Sequence, residues 1–319
     1  MKIVYLAPKS SFRNPLRSDS LFGLLCWGIE EIFGVEKLET ILLEFKKGKP
    51  PFLISSAFPY KLFQGEKILY FPKPTLKPIN VEATPEKMGL YKEYKKTRWV
   101  PEDIFLSLRA GKLSLQEFFD QKIWEEIKKP IQDAIPVMHN NIERISGAST
   151  KLFYTEEFFI ENGGLFFLLD IYDQQIEPLF EGVFQFYSHV GFGGDASIGK
   201  GHFHLEMYDY QKFQDLEKAV SLLNLSLYFP SEAELEHIKN RPELTWYKLE
   251  TRKGKSGGRF YTSPNVWKKS VTVFKEGSSF PKIDNQKVYG AFPVVQHFAF
   301  PVYYYGYGMM IDFIEKGAQ

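Results

Sequence analysis

The sequence predicts an α+β protein with two ferredoxin-like (RRM-like) domains and a Pro/Lys-rich insertion in the first domain. The length of 319 residues suits two domains of about 100–200 residues each. The N-terminal part orders its predicted elements as strand, helix, two strands, helix, strand, which is the β-α-β-β-α-β pattern of a ferredoxin-like unit. A second, more β-rich series follows. We therefore place the domains at residues 1–210 and 211–319, with the insertion at about residues 46–135.

The elements before Pro136 follow from apolar spacing and from residues that start and stop helices. Ser18-Asp19-Ser20 is an N-cap signature, and Gly34 closes the helix that it begins. Prolines between residues 46 and 102 forbid long regular elements, so we expect an inserted arm there, with short helices. The prediction is a strand at residues 2–7 and helices at about residues 18–33, 36–46, 85–94, 101–108 and 114–128.

Beyond Pro136 the chain contains aromatic and β-branched runs that are typical of strands. The runs 151–160 and 165–172 are separated by Glu161-Asn162-Gly163-Gly164, and Asn-Gly between two such runs is a strong hairpin signal. Further on, Ser231 with Glu234 three residues later predicts a capped helix. The remaining predictions are a helix at 174–190, a strand from His202, a strand at 221–229, a helix at 230–240, a strand at 268–275 and short aromatic strands ending near Phe313.

Composition excludes several classes of protein. Lys and Arg number 40 and Asp and Glu 39, so the net charge of +1 excludes a uniformly basic nucleic-acid binder, and any such affinity must come from local clusters. The single cysteine, Cys26, excludes an intramolecular disulfide. The N-terminal apolar run is too short for a signal peptide, and the longest charge-free run, residues 288–311, contains prolines and polar residues that suit short strands. We expect a cytoplasmic protein with no membrane partner.

The strongest local signal is the glycine loop, residues 191–201, which has five glycines in eleven residues. Exposed backbone amides, together with Ser197 and Lys200, could hold phosphates; the alternative is a tight connection between a helix and a strand. Residues 194–200 fit the first seven positions of a P-loop. However, Gly201 stands where Mg²⁺ needs a hydroxyl, and a helix precedes the loop, which argues against an NTPase.

Two other segments could contact nucleic acid. Residues 252–259 carry four positive charges, no acid and three glycines, so they could bind a phosphodiester backbone or form a solvated loop. Residues 138–147 are rich in hydrogen-bond donors, but the residues by themselves favour a polar lead-in to the next strand. His202 and His204 share a strand face without further ligands nearby, so we predict no metal and no cofactor. A metal-free ribonuclease with His139 or His202 as general base near Lys200 is chemically possible.

Four stretches together carry a family resemblance. They are 17–27 (RSDSLFGLLCW), 139–147 (HNNIERISG), 191–203 (GxGGxxSxGxGxF) and the aromatic runs 298–302 (FAFPV) and 304–307 (YYGY). In this order they resemble the Cas5-group RAMP subunit of a type III-A CRISPR effector, the fourth subunit of the Csm complex. The glycine loop alone is shared by many RAMP proteins, whereas the ordered set is more specific.

The resemblance implies a non-catalytic subunit at one end of a ribonucleoprotein for antiviral defence. Such a subunit holds the 5′ repeat-derived tag of the CRISPR RNA and binds both the large polymerase-like signalling subunit and the first backbone RAMP subunit. By position the glycine loop would contact the tag, with the 139–147 segment beside it, and we add two basic residues from charge alone. The expected RNA-binding residues are Gly191, Gly193, Gly194, Ser197, Gly199, Lys200, Gly201, His202, Asn140, Arg144, Ser146, Lys255 and Arg259.

Two alternatives stay open at this point. The first is a metal-independent endoribonuclease that processes CRISPR repeat RNA, although in that group the glycine loop usually lies near the C-terminus. The second is the equivalent subunit of a type III-B effector, which differs in its partners rather than in its chemistry and tends to be longer.

Overall fold

The computed structural model describes residues 1–13, 15–125, 127, 134–257, 266–298 and 300–316. The helices are α1 (Ser18–Phe33), α2 (Val35–Lys46), α3 (Pro85–Lys96), α4 (Glu102–Arg109), α5 (Leu115–Asp120), α6 (Glu177–Val190) and α7 (Glu232–Lys239). The strands are β1 (Lys2–Pro8), β2 (Phe52–Ile54), β3 (Phe58–Phe63), β4 (Glu66–Pro72), β5 (Trp99–Pro101), β6 (Ile135–Ile142), β7 (Ser149–Glu157), β8 (Gly163–Ile171), β9 (Phe203–Asp209), β10 (Ser221–Asn224), β11 (Leu249–Arg252), β12 (Val271–Phe274), β13 (Ser279–Pro281), β14 (Val294–His297), β15 (Pro301–Tyr303) and β16 (Met310–Phe313). This is a mixed α+β fold with antiparallel sheets, as predicted.

The main sheet in the described part of the chain has seven strands in the order β5-β4-β3-β8-β1-β9, with β2 also paired to β8. Strand β8 is buried along most of its length because both of its faces are covered. On one face Phe167 packs edge-on against Phe184 of α6. On the other face Phe166 packs against Phe71 of β4, which stacks on Phe105 of α4. In a strand that is covered on both faces, successive residues are apolar instead of alternating with polar ones.

The segment that we predicted as an inserted arm in fact builds much of this sheet, so that expectation was wrong for β2, β3, β4 and β5. Several of its prolines lie at strand ends: Pro51 precedes β2, Pro72 and Pro101 end β4 and β5, and Pro59 is the second residue of β3. A proline at a strand end removes no ladder hydrogen bond that the sheet needs. The two short helices expected in this segment are present as α3 and α4, whereas the helix expected at 114–128 ends at Asp120, followed by a 3₁₀ turn at Ile123–Glu125.

The hairpin predicted around Asn162-Gly163 is also wrong. Strand β7 pairs with β6, while β8 pairs with β1, β2 and β3. A Cβ at Gly163 would overlap the carbonyl oxygen of Tyr60, and one at Gly164 that of Leu6. These two glycines therefore allow neighbouring backbones to approach β8, which is the other common use of glycine in a strand.

Helix α1 begins one residue earlier than a Ser18 cap would require, because Arg17 occupies the N-cap position without a side-chain hydrogen bond. Ser18 is fully buried instead, and its hydroxyl accepts a hydrogen bond from the amide of Leu227, at 2.9 Å. The end of the helix is as predicted: Gly34 has φ +86° and its amide donates to the carbonyl of Glu30. Ser18 thus ties α1 to the C-terminal part of the chain.

The C-terminal residues form a three-stranded sheet in the order β13-β10-β16, and β10 and β12 are shorter than predicted. Helix α7 carries the predicted capping box of Ser231 and Glu234. This part of the chain has two small hydrophobic clusters of its own, but it also packs into the main core: the hydroxyl of Tyr305 accepts from the amide of Ile54, and the hydroxyl of Tyr307 donates to the carbonyl of Phe45. Both tyrosines belong to the same hydrophobic cluster as the main sheet.

Candidate nucleic-acid interface

The glycine loop joins α6 to β9, as predicted, and its two ends are held together by glycines. The amide of Phe192 donates to the carbonyl of Gly201 at 3.0 Å, and the amide of Gly201 donates to the carbonyl of Ser11 at 2.8 Å. A Cβ at Gly201 would overlap the carbonyl oxygen of Phe192, and one at Gly191 would make a tight contact with the carbonyl oxygen of Gly201, at 3.1 Å. Gly191 and Gly201 are buried, so they shape the loop from within.

The middle of the loop faces solvent. Gly193 and Gly199 are exposed, have φ +91° and +87°, and have open space where a side chain would point. Among the described residues, no backbone acceptor lies within hydrogen-bond distance of the amides of Gly193, Gly194 and Ser197. Exposed amides on a turn of this kind form a concave site for anions. We call residues 193–199 the loop crest.

Lys200 does not point outward with the loop crest. Its Nζ donates to Glu157 Oε2 at 2.8 Å and to Ser11 Oγ at 2.9 Å, and Ser11 Oγ donates to the same carboxylate oxygen at 2.6 Å. Burial acts to raise the pKa of Glu157, but the hydrogen bonds from Lys200 and Ser11 and the charge of Lys200 lower it overall. Glu157 therefore carries a negative charge that Lys200 neutralises.

The 139–147 segment forms the outer part of the β6–β7 hairpin rather than a lead-in to a strand. His139 stacks on Phe153, and its Nε2 lies 2.8 Å from Thr155 Oγ1. Asn140 accepts a hydrogen bond from Ser149, and Ser146 donates to Glu143, both at 2.6 Å.

Arg144 is exposed at the tip of the hairpin. Glu157, at the inner end of β7, pairs with Ile135 of β6. Ile135 lies seven residues before Ile142, where β6 ends near the tip of the hairpin. A strand rises about 3.3 Å per residue, so the tip is roughly 23 Å along the hairpin from Glu157. Asn140, Arg144 and Ser146 thus reach away from the glycine loop, while His139 lies nearer to it.

The basic segment 252–259 is partly held by the protein's own side chains. Arg252 makes two hydrogen bonds to Asp19, at 3.0 and 3.1 Å. Lys253 and Lys255 lie over the ring of Trp267, with Nζ 5.6 and 4.8 Å from its centroid. Arg259 lies outside the described residues.

The two loops are tied to one short segment that runs from the end of β1 into the first turn of α1. Arg13 forms an ion pair with Asp195 of the glycine loop, at 2.8 Å, and Asp19 holds Arg252 at the start of the basic segment. Asp19 is six positions after Arg13, and a chain of that length spans at most about 22 Å. The anchor residues of the two loops therefore lie near each other.

The histidines do not form a metal site in the part of the chain that the structure covers, since no group of three potential ligands comes together there. His204 Nε2 lies 3.4 Å from Glu206 Oε1, and the backbone amide of His202 donates to Ser10 Oγ at 3.0 Å. Within the described residues, no helix is both long and apolar enough to span a membrane.

Sequence reasoning missed Ser11, Arg13 and Glu157. Each is a common polar residue in an unremarkable local sequence, and Glu157 is 146 positions from Ser11. Their importance comes from contacts across the fold, for which a single sequence carries no signal.

Comparison with known proteins places the chain in a family. A family model described as "RAMP superfamily" matches residues 6–204, and one described as "CRISPR Csm4 C-terminal domain" matches residues 217–313. A relative named "CRISPR system Cms protein Csm4", from Thermococcus onnurineus (strain NA1), is 31% identical over 214 residues, which cover 65% of this chain and 68% of the relative. The chain belongs to the Csm4 family of RAMP proteins. The resemblance stated from the four sequence stretches is therefore confirmed.

Solved structures share the fold of this Csm4-family chain along its whole length. A chain of the Csm3-Csm4 subcomplex of the type III-A CRISPR-Cas interference complex matches with TM-score 0.65 and 20% identity, covering 98% of this chain and 100% of that one. A chain of the Csm1-Csm4 cassette in complex with pppApA matches with TM-score 0.59 and 18% identity over 99% of both. A chain of the type III-B Cmr-beta complex gives TM-score 0.51 and 15% identity over 88% of this chain and 86% of that chain.

Proposed function

We propose that this Csm4-family protein is a non-catalytic subunit of a type III-A CRISPR ribonucleoprotein that binds the 5′ repeat-derived tag of the CRISPR RNA. The observation that carries the proposal is the loop crest, where the amides of Gly193, Gly194 and Ser197 donate to no backbone carbonyl of the described residues, and Gly193 and Ser197 are exposed. Single-stranded RNA is recognised through its backbone and its splayed bases rather than through a groove. The amides of glycines can approach such a backbone closely, because glycine has no side chain to block the approach.

The predicted RNA-binding residues have different roles in this proposal. Gly193, Gly194, Ser197 and Gly199 contact the tag backbone, while the buried Gly191 and Gly201 give the loop its shape. Segment 252–259 supplies positive charge through Lys255 and Arg259, and His202 adds a partly exposed ring beside the loop. Asn140, Arg144 and Ser146 contact RNA that runs along the β6–β7 hairpin.

We further propose that residues 1–210 and 211–319 are two ferredoxin-like domains. In the first, the strand order β9-β1-β8-β2, with α1 and α6 as the crossover helices, supports this assignment. The second follows the same order of strand, helix, two strands and final strand. Its elements are β10, α7, the residue Trp246 that is bridged to Ser279, β13 and β16. The described residues between β13 and β16 contain no helix, so this domain would lack its second crossover helix.

The proposed protein partners are the large polymerase-like subunit and the first backbone RAMP subunit. The matched structures support this, because they are of Csm4 with Csm1 and of Csm4 with Csm3. The proposal places the complex in the cytoplasm, where the single free cysteine, Cys26, stays reduced.

The decisive experiment fills the loop crest with side chains. Gly193→Leu with Gly199→Leu places two side chains over the free amides, and we expect the assembled complex to lose nuclease protection of the RNA tag. Each leucine at positive φ costs about 1–2 kcal/mol, so strain needs its own control. Gly48→Leu supplies it, since Gly48 has φ +71° and open space outside the loop. Retained protection in the double variant, or equal loss in the control, would refute the proposal.

A second experiment tests the basic segment. Lys255→Ala with Arg259→Ala should weaken RNA binding and reduce the salt dependence of log K by about 1.4, because each neutralised phosphate of a single strand contributes about 0.7 to the slope. Lys92→Ala with Lys95→Ala removes the same charge from α3 and should leave the slope unchanged. An unaltered slope in the first variant would show that the segment does not contact RNA.

Incubation of the purified protein with repeat RNA tests the endoribonuclease alternative. Specific cleavage that is lost on His139→Ala or His202→Ala would replace the non-catalytic proposal. We expect the RNA to remain intact.

A further inference from the structure

We infer that Glu157 is a positioning residue for the glycine loop, and that Lys200 acts through Glu157 rather than as a direct RNA contact. The inference rests on the proposed function, since it assigns roles within the same site. It changes the expectation from the sequence, in which Lys200 was one of the residues on the tag backbone.

The geometry joins three parts of the chain at one carboxylate. Glu157 ends β7, Ser11 follows β1, and Lys200 lies in the glycine loop just before β9. Glu157 Oε2 accepts both from Lys200 Nζ at 2.8 Å and from Ser11 Oγ at 2.6 Å. The side chain of Glu157 is only 6% exposed and that of Lys200 is 28% exposed. The carboxylate therefore fixes the loop against both the main sheet and the β6–β7 hairpin.

Lys200 cannot turn outward without leaving a buried charge behind. His139 is the next cationic candidate beside Glu157, but its Nε2 is 3.9 Å from Glu157 Oε1, and that oxygen has no hydrogen-bond partner among the described residues. An uncompensated buried carboxylate is strongly unfavourable. Arg13, which holds Asp195 on the exposed side of the loop, is a second tether but does not reach Glu157. The ion pair of Lys200 and Glu157 thus holds the loop crest in one conformation.

The two possible roles of Lys200 predict different effects on binding of a labelled single-stranded tag RNA to the full-length chain. A positioning pair predicts that Lys200→Met and Glu157→Gln each weaken affinity by about tenfold, because only about a tenth of the molecules then hold the binding conformation. The double variant should bind no more weakly than either single variant, and the salt slope should not change. A direct contact predicts a slope smaller by about 0.7 for Lys200→Met, and unchanged or tighter binding for Glu157→Gln, because that change frees Lys200.

Glu156→Gln is the matched control, since it removes the same charge from the neighbouring, exposed position on β7. It should leave affinity and salt slope as in the wild type. Glu157→Gln keeps the shape of the side chain and an acceptor oxygen, so it tests the charge without opening a cavity. Urea unfolding of each variant checks that the fold persists, and Ser11→Ala, which removes only one hydrogen bond, should weaken affinity in the same direction.

Hydrogen exchange of the peptide spanning residues 191–201 separates failure of this inference from failure of the proposed function. Faster exchange in Glu157→Gln and Lys200→Met, but not in Glu156→Gln, supports positioning even if the wild-type chain binds no tag RNA, a result that would refute the proposed function alone. Unchanged exchange, a reduced salt slope for Lys200→Met, or tighter binding by Glu157→Gln would each overturn the inference.

Discussion

Gly23 and Gly28 of helix α1 provide two identical substitutions with different expected effects on stability. At Gly28 an ideal Cβ would lie 2.6 Å from Val183 Cγ1 and 2.9 Å from Tyr187 Cε2, whereas at Gly23 nothing lies within 4 Å. Ordinary carbon contacts are about 3.5–4.0 Å. Gly28 therefore lets α1 and α6 approach more closely than any other residue would, and α6 leads directly into the glycine loop.

The magnitudes follow from two opposing terms. Alanine in place of a mid-helix glycine stabilises by about 0.5–1 kcal/mol, and overpacking of a tight contact costs about 1–3 kcal/mol. Val183 cannot relieve the contact easily, because a β-branched side chain in a helix has one strongly preferred χ1 rotamer. We expect Gly23→Ala to raise the free energy of unfolding by about 0.5–1 kcal/mol. The free energy of unfolding of Gly28→Ala should be about 1–3 kcal/mol lower than that of Gly23→Ala, because the added methyl group overpacks the contact with α6.

Urea unfolding followed by circular dichroism measures the difference, which should be about 1–3 kcal/mol at an unchanged m-value. The two variants control for each other, because they add the same methyl group to the same helix. If both shift stability equally, Gly28 is not required for the close approach of α1 and α6, and the argument from the contact is wrong.

Three further predictions concern stability. Arg17→Met removes the partner of the buried Glu276 carboxylate and should cost about 3–5 kcal/mol in urea unfolding; adding Glu276→Gln should restore part of this, and no restoration would contradict a charge effect. Ser231→Ala removes the cap of α7 and should cost about 1 kcal/mol, whereas Ser231→Gly should cost only a few tenths; equal losses would contradict the capping role. Burial lowers the pKa of Lys73 to about 7, so between pH 7 and 9 the unfolded chain binds more protons and the unfolding free energy should rise with pH. In Lys73→Met, the free energy of unfolding measured by urea titration should rise less between pH 7 and 9. The same rise as in the wild type would contradict a lowered pKa of Lys73.

Parts of the site were predictable because their signals are local. The glycine loop lies between a helix and a strand as predicted, and its exposed crest includes the expected Gly193 and Gly199. The direction of Lys200 was not predictable, because it depends on Glu157, 43 positions away in the chain. The basic segment shows the same limit, since Asp19 occupies Arg252 from 233 positions away.

The fold divides in the same way. Helices α1, α2, α6 and α7 were predictable because apolar spacing, the Ser231 capping box of α7 and the glycines that end α1 and α6 act over three or four residues. Strand pairing was not, since the partner of β8 depends on packing between distant segments. The Asn-Gly signal was therefore assigned to a hairpin that does not form, and a proline-rich segment was assigned to an arm although it builds the sheet.

By itself, the sequence determined the family, the α+β class and the loop that we propose binds RNA, because short-range patterns of glycine, aromatic and capping residues carry that information. The tertiary structure alone decided that residues of the C-terminal part pack into the core of the main sheet and that one carboxylate joins the segment after β1, strand β7 and the glycine loop. Burial and ion pairing between residues far apart in the chain arise only once the chain has folded, so neither could be read from local pattern.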